Sequence, residues 1–317
     1  MSTPKKTQAQ AWLPPRPRDD DQGVVAVVGV VLLLAAATMY YAHVVTTDVP
    51  RWGRDAEVSW DEDVAHELAN VARMTNGAVG TQATIAGSVP PPPEPQRFDG
   101  GFIGRATPAR PTGTFGFEPY CTNFTASHTL YGGGTIIDMA GVQSGCFRFS
   151  AQTAYGDSFH YVIEFGGLVR QQGADAVVLV GPAFGVEVPN VAGDPHRIGL
   201  TLVEMDGRSG VLGAGQAGVA FDLIPVGSAL EGTQKGNADT ITWRFDTHYP
   251  RAWHTWFERQ FEASNASSSD YTVTCAPVDC SAPGGYGAVL VSYDRPGSTR
   301  NDVAVSMSYG AYDVLLG

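Results

Sequence analysis

Few residues of this 317-residue chain stand at spacings that support chemistry, and the cysteines are the most informative of them. Cys121, Cys146, Cys275 and Cys280 are even in number, which suits two disulfides in an oxidising compartment. Proximity in sequence favours Cys121 with Cys146 and Cys275 with Cys280, one of three pairings. No C-x-x-C pair and no neighbouring histidine accompanies them, so the pattern does not suit zinc. Asn123-Phe124-Thr125 and Asn265-Ala266-Ser267 are acceptor triplets for N-glycosylation, a modification of exported surfaces.

The remaining patterns fall short of a reaction. Gly213-Ala214-Gly215-Gln216-Ala217-Gly218 matches G-x-G-x-x-G, yet it leads into an alternating strand pattern where a dinucleotide fold needs a crossover helix. Ser144 lies in Gly-Val-Gln-Ser-Gly, which is not a nucleophile elbow. His248 and His254 are six apart, off the spacing that puts two ligands on one helix face. Carboxylates are scattered. The sequence therefore predicts no catalytic, cofactor-binding or metal-ligating residue and no enzymatic activity.

The elements that would carry the chain are easier to place. Residues 24–45 are apolar except for Thr38, Tyr40, Tyr41 and His43, and 22 residues span roughly 33 Å of helix at about 1.5 Å each, enough to cross a bilayer core of about 30 Å. A leader of residues 1–23 precedes them with Lys5, Lys6, Arg16 and Arg18. By the positive-inside tendency this places the amino end in the cytoplasm and the rest outside, although Asp19, Asp20 and Asp21 oppose the bias. The formal net charge of −12 argues against nucleic acid, because phosphate binding needs clustered bases.

Downstream, Pro50 and Gly53 predict an interruption of the helix. Ser59-Trp60-Asp61-Glu62 has the form of a capping box, and Trp60, Val64, Ala65, Leu68, Val71, Ala72 and Thr75 form a helical apolar stripe that ends at Asn76-Gly77. Residues 46–87 thus read as a kinked segment and an amphipathic helix. Residues 88–119, with Pro90 to Pro93 at their start, read as a Pro/Gly-rich linker without a core. From residue 120 to 317 the chain reads as β. Phe159, Tyr161, Ile163 and Phe165 alternate with His160, Val162 and Glu164, Gly166-Gly167 turns the hairpin, and short strands follow at 176–180, 184–188, 198–205, 218–224, 240–247, 271–275, 287–293 and 303–315. Pro250 opens one helix over residues 252–263, with Trp253, Trp256, Phe257 and Phe261 on one face. The expected fold class is α+β: a long amino-terminal transmembrane and amphipathic helix, then an antiparallel, sandwich-like β domain with one additional helix.

Gln22-Gly23-Val24-Val25-Ala26-Val27-Val28-Gly29 sets a small residue directly before the apolar run and resembles the class III signal of archaeal type IV prepilins. The resemblance implies that a prepilin peptidase cuts after Gly23, that Val24 becomes the new amino terminus with Gly29 at the sixth mature position, and that the apolar helix stays on the protein. The sequence departs from that pattern at Gln22, which follows acids where Lys or Arg is usual, and at Ala26, where Pro is usual. Phe165-Gly166-Gly167-Leu168-Val169-Arg170, Gly181-Pro182-Ala183-Phe184 and Tyr249-Pro250-Arg251-Ala252-Trp253 are similar to stretches of haloarchaeal pilin-like surface proteins.

The resemblance implies a structural subunit, minor or tip-like given its size, of an archaeal type IV pilus-like filament, or a membrane-held pilin-like protein, acting in adhesion or surface interaction. Its partners would be membrane lipid, other pilin-like subunits through the apolar helix, and the peptidase; no cofactor is expected, and a role in DNA uptake stays open. The alternative is a permanently anchored extracellular binding module or adhesin, with an anchored enzyme third.

Overall fold

A computed structural model describes residues 19–79, 81, 83–99, 101, 104–130, 134–189, 194–214, 218–226, 234–276, 280, 286–294 and 303–316; the side chains of 19–23, 130, 134–140, 214 and 234–238 are outside the description. The chain divides into two compact units: one from residues 1–51 with 96–108, the other from 52–95 with 109–317.

Three helices are described: α1 (Asp19–His43), α2 (Val49–Ala78) and α3 (Pro250–Ala263), with a π-helical turn Val44–Asp48 between the first two. The helical backbone therefore continues across Pro50 and Gly53, where the sequence predicts an interruption. Pro50 is accommodated directly after the π turn, whose wider backbone relieves the clash of a proline ring with the preceding turn. Ser59 accordingly lies inside α2 and caps nothing. The stripe that follows it does pack: Trp60, Val64, Leu68, Val71, Ala72 and Thr75 are all buried.

The strands are β1 (Ile85–Val89), β2 (Phe98–Asp99), β3 (Arg105–Ala106), β4 (Thr112–Leu130), β5 (Gly134–Gln152), β6 (Phe159–Glu164), β7 (Gly167–Gln172), β8 (Asp175–Val180), β9 (Phe184–Glu187), β10 (His196–Gly207), β11 (Gly210–Ala214), β12 (Val219–Pro225), β13 (Gln234–Ala238), β14 (Thr240–Thr247), β15 (Tyr271–Ala276), β16 (Gly287–Asp294) and β17 (Val303–Leu316). One sheet runs β1-β12-β17-β10-β9 with β13 also on β17; a second runs β15-β16-β14-β4-β5-β6-β7-β8 with β11 also on β4; β2 and β3 form a separate ribbon. The fold class is α+β, with a long apolar amino-terminal helix and a mostly antiparallel β-rich unit. Antiparallel pairing has one exception among the described strands, since β10 and β17 run parallel from His196 opposite Val303 to Gly207 opposite Val314.

The β unit begins earlier than the sequence suggests. Val89 in β1 and Phe115 and Phe117 in β4 are buried within residues 88–119, which read as a linker without a core. Gly and Pro at 108, 111, 113, 116 and 119 obscure the two-residue period of the phenylalanines. These glycines serve packing: Gly116 passes against the Gly210 carbonyl of β11, where a Cβ would stand 3.1 Å from it. Two apolar cores result. Trp60 and Leu68 of α2 join Phe115, Phe147, Phe149, Phe159 and Phe221 in one. Phe124, Phe165, Trp243, Phe245, Trp253 and Phe257 anchor the other.

β6 serves both cores. Phe159, Tyr161 and Ile163 face the first, whereas Val162 faces the second, so the strand is not half-solvated as its alternation predicts. Its hairpin turns on Phe165-Gly166, one residue earlier than predicted, with φ of 54° and 81° and Glu164 opposite Gly167. Two positive φ values are what a two-residue hairpin of matching twist requires.

Candidate functional site

The unit built from residues 1–51 and 96–108 presents a large unpartnered apolar surface. From Val24 to Tyr40 the exposed large side chains of α1 are open over 47–73% of their surface, on every side of the helix. The helix is long and apolar enough to cross a membrane. At its carboxyl end Tyr40 and Tyr41 each lie 6.4 Å, centroid to centroid, from the Phe98 ring of the β2–β3 ribbon. The Tyr41 hydroxyl donates to the Arg105 carbonyl at 3.2 Å. Arg105 pairs with Asp99 at 3.3 Å, with both side chains open to solvent. A surface of this kind can exchange lipid for other apolar helices.

In the second unit, polar contacts tie α2 to the sheet. Tyr161 Oη donates to Asp61 Oδ1 and Arg170 Nη2 to Asp61 Oδ2, both at 2.5 Å. Burial, with the Asp61 carboxylate beside it, pushes the Tyr161 phenol up, so it stays protonated and donating. One turn earlier the Glu57 carboxylate accepts the backbone N–H groups of Ala154 and Tyr155. Asn76 Nδ2 donates to the Gly166 carbonyl at 2.8 Å. A cleft of about 420 Å³ opens here, lined by Arg54, Glu57, Asp61, Tyr155 and Asp157 among others. Arg54 is already spent on the Tyr155 carbonyl. Asp61→Ala is expected to cost about 1–3 kcal/mol in denaturant unfolding, because it leaves Arg170 without its carboxylate and Tyr161 with only the longer bond to the residue 61 carbonyl at 3.3 Å; a loss within a few tenths would show that water replaces the carboxylate.

Among the described residues the carboxyl moved furthest from its ordinary value is Glu164 at the end of β6, fully buried. Thr247 Oγ1 donates to its Oε1 at 2.6 Å and Trp253 Nε1 donates to the same oxygen. Its Oε2 has no partner among the described residues. Burial pushes its pKa up to about 7, although the two donors and the Arg148 charge act the other way. His128 is buried in the neighbouring region, accepts from Trp243 Nε1 at 3.0 Å, and is lowered by burial to about 4. Neither group was marked by the sequence. Glu164 lies in a strand whose polar positions read as solvent-facing, and a local Val-Ile-Glu-Phe run carries no signal that both faces are covered.

The predicted site residues distribute as follows. Cys121 is bonded to Cys146, and Cys275 to Cys280. The first bridge joins β4 to β5 where their register shifts between Glu118 and Thr122, so it covers a gap in the ladder. Asn123 lies in β4 with Nδ2 donating to Asp246 Oδ2 at 3.2 Å, whereas Asn265 is an exposed turn residue with φ 57°. Ser144 is buried and accepts the Met205 N–H, a structural role. His248 meets the Tyr286 ring, and His254 lies 3.3 Å from Glu258 on α3. Gly213 ends in β11 and Gly218 precedes β12, with residues 215–217 outside the described residues. Residues 1–18 of the leader are outside them too; Gly23 and Val24 lie in α1. Among the described residues no three of His, Cys, Asp and Glu gather to hold a metal ion.

No family model, no curated protein and no solved structure matches the chain.

Proposed function

We propose that the protein is a type IV pilin-like surface subunit, minor or tip-like, of archaeal type, acting in adhesion or surface interaction. The apolar surface of α1, without a covering partner over its whole girth, is the observation that supports this reading most. A contiguous apolar surface of that size is not left in water. Lipid covers it while the protein is held in the membrane, and the same helix of neighbouring copies covers it in a filament. Residues 22–29 favour a processed pilin over a plain anchor through their likeness to a prepilin signal. The two disulfides suit a carboxyl-terminal body outside the cell, with the amino end in the cytoplasm. The body needs no cofactor and no catalytic residue for this role.

Intact-mass analysis of the protein purified from its native membrane is expected to find Val24 as the amino terminus. Gly23→Leu is expected to leave the leader in place, because a peptidase that cuts after a small residue has no room for a branched side chain. A wild-type protein that keeps residues 1–23 would instead favour the permanently anchored binding module, the reading to which Gln22 and Ala26 point.

A further inference from the structure

We propose that the β2–β3 ribbon is a collar for lipid headgroups, set at the outer surface of the membrane that α1 crosses. The proposal rests on the reading of α1 as a membrane helix. Asp21 to Tyr40 is 19 steps of helix, about 29 Å at about 1.5 Å each, against a hydrocarbon core of about 30 Å. With residue 21 at one boundary of that core, Tyr40 and Tyr41 arrive at the opposite one. That is where tyrosine is favoured, with an apolar ring in the chains and a hydroxyl among polar groups.

The ribbon is fastened at the same level. With two registered pairs, Phe98 opposite Ala106 and Asp99 opposite Arg105, it cannot hold itself. It is held by the two tyrosine rings on Phe98 and by the Tyr41 hydroxyl on the Arg105 carbonyl. Gly104, at φ 137°, brings the chain against the Tyr41 ring, where a Cβ would stand 3.1 Å from the hydroxyl oxygen. Three of its exposed side chains are charged. Arg97 and Arg105 are exposed beside the single acid Asp99, a basic surplus in a chain of net charge −12. Guanidinium groups at headgroup depth pair with lipid phosphates. The occupant is therefore the anionic headgroup layer, and the collar fixes how deep α1 sits.

The full chain, reconstituted in phosphatidylcholine–phosphatidylglycerol vesicles, carries one spin label at a time at Gln96→Cys, Leu33→Cys or Val211→Cys, so that Arg97 and Arg105 both stay in place. Gln96 is exposed beside Arg97. Collisions with oxygen, which partitions into lipid, and with a water-soluble nickel chelate report depth. The Leu33 label is expected in the hydrocarbon, the Val211 label in water, and the Gln96 label between them, several-fold less accessible to the chelate than the Val211 label. Tyr41→Phe is expected to raise chelate access at position 96, and so is replacing phosphatidylglycerol by phosphatidylcholine. Inorganic phosphate added to the protein in neutral detergent is expected to change nothing. A position 96 as open as position 211, with Leu33 still in the hydrocarbon, overturns the collar and leaves the membrane reading standing. A Leu33 label open to the chelate overturns the membrane reading itself. Protection of position 96 by phosphate in detergent overturns the assignment to lipid and gives the arginines to a soluble anion.

Discussion

Trp60→Ala is expected to lower the stability of the β-rich unit by about 3–5 kcal/mol, the range for removing a large buried aromatic. Trp60 is 2% exposed, stands edge-on to Phe149 and Phe159 at 5.7 and 5.8 Å, and donates its indole N–H to the Pro90 carbonyl at 3.1 Å. Truncation empties the ring site and also leaves that carbonyl without its donor. Denaturant unfolding of the full chain in detergent, followed by far-ultraviolet circular dichroism, measures the loss, and hydrogen exchange locates it. The amides of α2 are expected to exchange first, since Trp60 is the largest side chain that α2 places in the core. Trp60→Phe keeps a ring and is expected to cost about half as much or less. An alanine variant within about 1 kcal/mol of wild type would mean that the amphipathic helix is dispensable to this core.

The second large effect is in pH. Glu164 has a folded-state pKa of about 7, above the ordinary 4.5 it regains on unfolding. Below pH 4.5 both states hold the proton and the stability of the site is fully present. As pH rises towards 7 the unfolded chain releases the proton while the folded chain keeps it, so stability falls, by about 3 kcal/mol in all once pH exceeds 7. Glu164→Gln keeps an acceptor for Thr247 and Trp253 and carries no charge at any pH. It is expected to remove most of that slope and to be more stable than wild type at pH 8. Denaturation midpoints at pH 5 and pH 8 test this for both proteins. Parallel slopes would show that another group carries the dependence.

Much of the fold is legible where periodicity and turn chemistry agree. Pro250 and the stripe Trp253, Phe257, Phe261 mark α3, and all three aromatics are buried as a core face should be. The cysteine pairs follow from proximity in sequence. The failures have local causes. A proline reads as a break, but at Pro50 the preceding π turn lets the helix continue. No continuous alternation announces the 19-residue strands β4 and β5, because each passes from one core to the other. Phe115 and Phe117 belong to the first core and Phe124 and Ala126 to the second. The change of face falls at the irregular Glu118–Thr122 stretch, so no single alternation runs through the strand. Glu164 was hidden for the opposite reason. Its strand alternates well, and only the tertiary placement of residues from α2 and α3 on its two faces removes the solvent that alternation implies. The ribbon leaves no mark in the sequence because two-residue strands have no period at all.

The parallel pairing of β10 with β17 sets a timetable. Each residue of β10 waits for a partner 107 positions later, and β17 lies inside its sheet, with β10 on one side and β12 and β13 on the other. A ribosome delivers β1, β9, β10, β12 and β13 before the strand that joins them, so that sheet remains open until β17 emerges. Such a closure is slow, because distant segments must meet before any ladder forms. A body that cannot finish folding early keeps its chain threadable, which is the condition a protein must satisfy to be passed through a membrane before it takes its final form.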